Sequence, residues 1–150
     1  MGNWHIANNG EVMPDVEIMN AARAMAGVNP QDKSTDRGEN LEELFRYMDA
    51  SGWPGDPDLK PVQWYKIDAP QLMAVVKLYG CSVAWCILPE ASPAAFGDDM
   101  LDREPTYAHA VTIVGFDADG YWLISWGTPY HVSLAWWTRF GRDCYAVEHP

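Results

Sequence analysis

The sequence predicts an α+β fold in which helices of the first half pack on an antiparallel sheet formed by the second half. Apolar residues recur at helical spacing before residue 80, whereas strand-like apolar segments separated by turns follow it. One further helix is predicted between the later strands. At 150 residues and 48% hydrophobic composition the chain is long enough to bury a sizeable core, so we expect a single domain over residues 1–150.

Two helices are predicted before residue 51, at residues 14–27 and 39–50. Gly27 is a natural stop for the first. A polar, turn-rich loop is predicted over residues 29–38 between them. The second helix has glutamates in its first turn, where the helix dipole favours them. Its apolar positions share one face: Leu41, Leu44, Phe45 and Met48.

The middle of the chain predicts a strand, a helix and a second strand. Residues 62–67 form the first strand. Asp68 and Pro70 then start a helix that ends at Gly80. Residues 81–88 are continuously apolar, which predicts a strand buried on both faces.

A long loop and a hairpin are predicted next. The loop covers residues 89–107 and is rich in proline and acidic residues. His109 is predicted to begin a strand that runs to residue 116 and pairs with residues 121–125 across the turn 117–120. A short helix over residues 131–140 and a closing strand over residues 144–148 complete the expected fold.

The charge of the chain restricts its partners. The formal net charge is −11, from 21 acidic and 10 basic residues. An acidic surface repels the phosphates of nucleic acids and favours basic protein partners, and the alternative is that the acidic residues only form a solvated surface. No apolar run is long enough to span a bilayer, and no signal peptide opens the chain. We therefore expect protein partners, no nucleic acid and no membrane, with a location in the cytoplasm or in a particle.

The cysteines and histidines do not predict a metal site. Three cysteines cannot all pair with one another, so reduced thiols are expected. The acidic segment 98–104 lacks the glycine and the ligand spacing of calcium loops. We expect no metal and no cofactor. The cysteines are Cys81, Cys86 and Cys144, and the isolated histidines are His5, His109, His131 and His149.

Eight tryptophans are many for this length. Trp136 and Trp137 lie in an apolar segment and are expected in the core. Trp4, Trp53 and Trp64 are candidate anchors of a protein interface, a role that large aromatic residues often have. Packing inside the protein is the alternative for each of them.

The order of motifs in the second half resembles that of the papain-like cysteine peptidases. His109-Ala-Val-Thr-Ile-Val-Gly-Phe-Asp117 resembles the histidine strand of that family, and Tyr121-Trp-Leu-Ile-Ser-Trp-Gly-Thr128 resembles the strand and Ser-Trp-Gly corner after it. The segments 80–87 and 144–147 are similar to the strands that precede and close this part of the family fold. Residues 29–38 and the following helix resemble a branch encoded by bacteriophages and prophages.

The resemblance implies a catalytic set that this chain completes only in part. Such peptidases need a thiolate at a helix N-terminus, a histidine base and a polar group that orients the ring. His109 occupies the position of the histidine base in this set. The helix that carries the nucleophile is missing, so the chain is expected to be truncated at its N-terminus relative to the family. Ile124 stands where the orienting asparagine belongs, and Ser125 is expected to point away from His109. We interpret His109 as a relic base.

Two main functions are compatible with these sequence features. The first is a catalytically inactive papain-like protein that acts as a structural or interaction component, such as a phage minor capsid or decoration protein. The second is a cysteine peptidase or amide hydrolase whose nucleophile comes from a partner chain or an upstream start. An acidic inhibitor or host-directed modulator is a third hypothesis. The expected location is the virion or the host cytoplasm.

Overall fold

The computed structural model describes residues 40–52 and 63–148, together with single residues before them (Asn20, Arg23, Ala24, Gly27, Asn29, Gln31, Asp32 and Ser34). The chain divides into two compact units. One comprises residues 1–64 with 147–150, and the other comprises residues 65–146. Each unit is described by itself, and a single domain over residues 1–150 stays a prediction.

The first unit contains helix α1, Leu41–Ser51. Asn40 caps it, because its side chain accepts hydrogen bonds from the N–H groups of Glu42 and Glu43. The helix predicted at residues 39–50 is therefore confirmed, although it begins at Leu41 because Asn40 is its cap. The predicted apolar face is buried, at Leu41, Leu44, Phe45 and Met48.

Most of the earlier part of this unit lies outside the described residues, including Trp4, Trp53 and most of the helix predicted at 14–27. Gly27 has a φ of 64°, and its N–H donates to the carbonyl of Arg23 at 3.1 Å. This geometry is typical of a glycine at a helix end. A bridge between Asn29 and Asp32 agrees with the turn-rich segment predicted there.

A six-stranded sheet forms most of the second unit. The start of its first strand and the end of its last strand are assigned to the first unit. The strand order is β1-β6-β2-β3-β4-β5, and the registers of neighbouring strands from β6 to β5 are antiparallel. An α+β class is therefore confirmed. The strands are β1 Gln63–Ile67, β2 Ser82–Leu88, β3 Tyr107–Phe116, β4 Gly120–Ser125, β5 Thr128–Ser133 and β6 Gly141–Glu148.

Two helices accompany this sheet, α2 at Ala69–Tyr79 and α3 at Leu134–Phe140. The start predicted for α2 is confirmed, because the N–H of Asp68 donates to Oε1 of Gln71 at 2.8 Å. Gly80 ends this helix in the left-handed conformation. The buried residues of α2 are Leu72, Val75 and Val76, and those of α3 are Trp136, Trp137 and Phe140.

The helix predicted at residues 131–140 is wrong in its first part. Residues 128–133 form β5, which pairs with the whole of β4. The helix begins only at Leu134, because the Ser133 hydroxyl accepts the N–H of Trp136 at 3.0 Å and caps it. Pairing along β4 therefore overrides the helical appearance of this segment.

Three further expectations need correction. Strand β3 begins at Tyr107 rather than at His109, because Tyr107 pairs with Leu88. The loop between β2 and β3 contains two 3₁₀ helices, Pro93–Phe96 and Asp98–Met100. Strand β2 is fully buried on one face only. The residues of its other face are partly exposed: Val83, Trp85 and Ile87.

The core lies on one face of the sheet. Directly paired residues share a face. Register therefore places Ala84 with Val111, and Ile113 with Leu123, on the same side. Aromatic side chains of α3 join these residues in one buried cluster. The indole N–H of Trp136 is satisfied by the carbonyl of Ala95 at 2.8 Å, which anchors the first 3₁₀ helix to this core.

The β3–β4 turn is organised by Asp117. Its carboxylate accepts the backbone N–H groups of Asp119 at 2.9 Å and Gly120 at 3.0 Å, and the indole N–H of Trp122 at 3.3 Å. The bonds from Asp119, His131 and Gly120 lower the pKa of Asp117, the bond from Asp119 most of all. Nε2 of His131 lies 3.1 Å from the same carboxylate, so the turn is tied to β5.

Gly120 and Gly115 give a matched test of this hairpin. A Cβ atom at Gly120 would lie 1.8 Å from the carbonyl oxygen of Val132, whereas one at Gly115 meets nothing closer than 3.6 Å. We expect Gly120→Ala to lower the free energy of unfolding by about 2 kcal/mol or more, because the opposing atom belongs to the backbone. Gly115→Ala should change it by less than about 1 kcal/mol. Urea unfolding measures both, and equal losses would contradict the described register.

Candidate functional site

His109 is the third residue of β3, and its side chain is half-buried. It pairs with Cys86 of β2, and both neighbouring strands are antiparallel to β3. This places the imidazole on the core face of the sheet, two residues before the fully buried part of the strand begins at Val111. The predicted candidate therefore lies where the buried core meets the surface.

Ser125 contacts His109 directly. Its hydroxyl oxygen lies 2.6 Å from Nε2 of the imidazole, and the residue is only 4% exposed. The expectation that Ser125 points away is wrong. Ile124 pairs with Thr112, which alternates away from His109, so Ile124 faces the other side of the sheet and Ser125 faces the imidazole.

The Ser-Trp-Gly corner places an indole ring on the imidazole. Trp126 and Gly127 have φ values of 46° and 72°, and they connect Ser125 directly to its partner Thr128. Positive φ at both central residues is what a type I′ hairpin turn requires. The Trp126 ring stacks on His109, with ring centres 4.4 Å apart and planes inclined by 25°. The sequence contains the corner, but the stacking was not predicted from it.

Further aromatic residues surround this pair. The buried ring of Phe96 lies 5.8 Å from that of Trp126 and 4.4 Å from that of Tyr130. Tyr107, two residues before His109 on the same strand face, is inclined by 28° to the imidazole at 6.0 Å. Tyr107 and Trp126 are 42% and 46% exposed. We call Tyr107, His109 and Trp126 the aromatic patch.

Sequence reasoning missed Tyr107 and Phe96 as parts of the site. The signal for Tyr107 was present in its spacing, because residues two apart in a strand share a face. Phe96 offered no such signal. It lies in a segment predicted as loop, and only the tertiary fold brings it beneath Trp126.

Burial lowers the pKa of His109. The imidazole is therefore held in its neutral form at neutral pH, with one ring nitrogen as a donor and the other as an acceptor. Nε2 is occupied by Ser125. In the tautomer whose Nε2–H donates to the Ser125 hydroxyl, Nδ1 is free to accept a proton, and in either tautomer the imidazole packs as an aromatic ring.

The three cysteines of the chain provide no reactive thiolate. All are buried, and burial raises the pKa of Cys81 to about 11 and those of Cys86 and Cys144 to about 12. The thiol of Cys86 donates to the backbone carbonyl of His109 at 3.4 Å. Cys86, the register partner of His109 on β2, thus stabilises strand β3, as expected for a small core residue.

Trp64 is the one predicted interface residue within the described part of the chain. It is half-buried, with its ring 5.7 Å from Phe45 and the guanidinium of Arg46 5.8 Å from its centre. Part of its surface is therefore used inside the first unit. An interface role for Trp4, Trp53 and Trp64 stays a prediction.

The described residues hold neither a metal-binding cluster nor a membrane-spanning helix. Among those described, no group of three or more histidine, cysteine or acidic side chains is arranged to hold a metal ion. In the loop between β2 and β3, Asp98 instead accepts the Ser133 hydroxyl at 2.7 Å. Every helix within the described residues lacks the length and apolar character that crossing a bilayer requires.

Comparison of the chain with models of protein families, with curated proteins and with solved structures found no match. The interpretation of the site therefore depends on the order of motifs in the sequence and on the geometry around His109.

The depressed pKa of His109 predicts how stability depends on pH. As pH falls through about 6.5, the unfolded chain takes up a proton at this histidine while the folded chain resists it. The folded state therefore loses stability on acidification. We expect the difference in free energy of unfolding between the wild type and His109→Gln to become less favourable to the wild type from pH 7.5 to pH 5.5. Urea unfolding across this range measures it, and NMR titration should give His109 a pKa below 6.5. A wild-type advantage that grows on acidification would contradict the assignment.

Proposed function

We propose that this protein is a papain-like scaffold without hydrolase activity that acts as a binding or structural component, most specifically as a minor capsid or decoration protein of a bacteriophage particle. The observation that carries the proposal is an oriented imidazole in a chain whose three cysteines are all buried. A base with no accessible nucleophile cannot perform the covalent step of a cysteine peptidase.

Ser125 does not replace the missing nucleophile. It is 4% exposed, and its hydroxyl is directed at Nε2 of His109 from the end of a strand. A serine buried to this extent offers little of its surface to a substrate. The Ser125–His109 bond instead satisfies two polar groups beside the core, which is a structural role.

An interaction role is supported by what the site exposes. Two aromatic rings of the patch present nearly half of their surface to solvent. Exposed aromatic residues are favoured as anchors of protein interfaces. The net charge of −11 favours protein partners over nucleic acid, inside either a virion or the host cytoplasm.

The second candidate is an amide hydrolase whose nucleophile comes from a partner chain or an upstream start. One observation favours it. Ser125 orients the imidazole, so the chain has the third group that its sequence was expected to lack. A thiolate from elsewhere would need to approach Nδ1, which makes no hydrogen bond within the described part of the chain.

Thiol reactivity of this chain's own cysteines tests the inactive scaffold. We expect iodoacetamide at pH 7.5 to leave Cys81, Cys86 and Cys144 unmodified in the folded protein, because all three are buried thiols. The same cysteines should react in urea, and His109→Ala and Ser125→Ala should not alter the folded pattern unless they unfold the protein. Mass spectrometry of tryptic peptides measures the labelling. Rapid labelling of one cysteine that disappears in His109→Ala would reject the inactive scaffold.

The particle role has its own test. We expect the chain to sediment with particles of the phage or prophage that encodes it, and to be found in them by mass spectrometry at a fixed ratio to the major capsid protein. Particles washed in high salt are the control for adventitious binding. Absence from purified particles, together with a monomeric state at high concentration and no partner in pull-down experiments, would overturn it.

A further inference from the structure

The aromatic patch is preorganised for binding. Ser125 fixes Nε2 of His109, and Trp126 lies parallel to the imidazole on a turn of defined geometry. Phe96 supports the Trp126 ring from the core. Two exposed rings held in this way lose little conformational freedom on binding, and this reduces one of the main costs of association.

An acidic segment adjoins the patch. The loop 89–106 leads directly into Tyr107 and contains Phe96, whose ring contacts Trp126. Its exposed charged residues are five carboxylates and one arginine: Glu90, Asp98, Asp99, Asp102, Glu104 and Arg103. Arg139 of α3 lies 3.7 Å from Glu104, so one of the five is partly compensated.

The loop is held in place at its base, where it joins β3 next to Tyr107 of the patch. The N–H of Thr106 donates to the carbonyl of Leu88 at 2.8 Å, and its hydroxyl donates to that of Pro89 at 3.2 Å. Arg139 bonds the carbonyls of Leu101 and Arg103. The backbone that leads into Tyr107 is therefore fixed, and Asp102 and Glu104 are the carboxylates that precede this ring most closely along the chain.

Aromatic faces beside carboxylates match the chemistry of a basic side chain. A guanidinium or ammonium group stacks on a tryptophan or tyrosine face and is attracted by nearby negative charge. The central ring of the patch does not oppose it, since burial lowers the pKa of His109 and keeps this imidazole neutral at neutral pH.

We infer that the aromatic patch and the loop 89–106 form a docking surface for an arginine- or lysine-rich segment of a partner protein, with a basic side chain seated on Trp126 or Tyr107. This inference rests on the proposed binding role of the same site. It adds the class of partner and the place where it binds.

The probe is a fluorescein-labelled peptide of alternating arginine and glycine, and a glutamate–glycine peptide of equal length is its counterpart. Fluorescence anisotropy measures binding to the full chain at 50 and 300 mM salt. We expect the arginine peptide to bind and to weaken at the higher salt, because screening reduces attraction between exposed charges. The glutamate peptide should not bind. Equal binding of the two peptides would overturn the inference.

Trp126 and Trp122 provide matched variants. Trp122 is 43% exposed but lies on the opposite face of β4, against His131. Trp126→Ala should weaken binding of the arginine peptide roughly fivefold or more. Trp122→Ala should leave it within about twofold. Equal effects of the two variants would place the peptide elsewhere and reject the docking surface.

Charge at the loop is tested by an equal change in net charge at two places. The double variant Asp102→Asn with Glu104→Gln removes the two carboxylates that precede Tyr107 most closely along the chain. Glu43→Gln with Asp49→Asn removes two exposed carboxylates from α1. At 50 mM salt the first pair should weaken binding about threefold or more, and the second pair less than twofold. The reverse order would show that overall charge, not this loop, attracts the peptide.

If Trp126→Ala fails to fold, an NMR measurement on the wild-type protein provides the same test. The indole N–H resonance of Trp126 should shift when the arginine peptide is added, and that of Trp122 should not. An unchanged Trp126 resonance would overturn the docking surface, but it would not contradict the proposed particle role. Peptide bound at Trp126 together with a His109-dependent reactive cysteine would instead overturn the inactive scaffold.

Discussion

The register between β3 and β4 is the constraint on which the site depends. Side chains alternate between the two faces of a strand, so a slip of one residue would bring Ile124 to His109 and carry Ser125 to the opposite face. The imidazole would then lose its 2.6 Å partner and meet an aliphatic side chain. The register is set at one end by the Asp117 turn and at the other by the two-residue turn at Trp126 and Gly127. A register shift between Ile113 and Gly115 lies between them.

The same register links the surface site to the core. Leu123 and Ser125 lie on one face of β4, and Leu123 is completely buried beside Ile113. Phe96 extends this apolar layer beyond the sheet, because it stacks on Tyr130 and contacts Trp126. The aromatic patch is therefore the outer edge of the core and not a separate surface feature. Its geometry should persist as long as the sheet is folded, since no independent loop movement is needed to form it.

The sequence allowed the elements with strong local signals to be predicted. Asp68, Pro70 and Gly80 bound α2 through capping chemistry, and alternating apolar residues on both sides of the 117–120 turn predicted the hairpin. Strand β5 could not be predicted in this way, because its pairing with β4 is a tertiary interaction that overrides local preference. Ser125 was misplaced for a related reason. The family resemblance assigned the orienting role to position 124, whereas the observed register assigns it to position 125. Phe96 carries no periodic signal at all.

The chemistry of His109 follows from what its neighbours leave available. Ser125 occupies one nitrogen, Trp126 covers one ring face, and burial favours the neutral imidazole. Each of these would serve a catalytic base, and each also serves a polar residue that must be accommodated at the edge of an apolar core. The cysteine next to His109 bears on these two roles. Cys86, which pairs with His109 in the sheet, donates its thiol to a backbone carbonyl, and burial raises its pKa to about 12, so it offers no thiolate at neutral pH. The Ser125–His109 bond and the stacking of Trp126 leave an aromatic surface exposed at this position, and the proposed binding role depends on that surface.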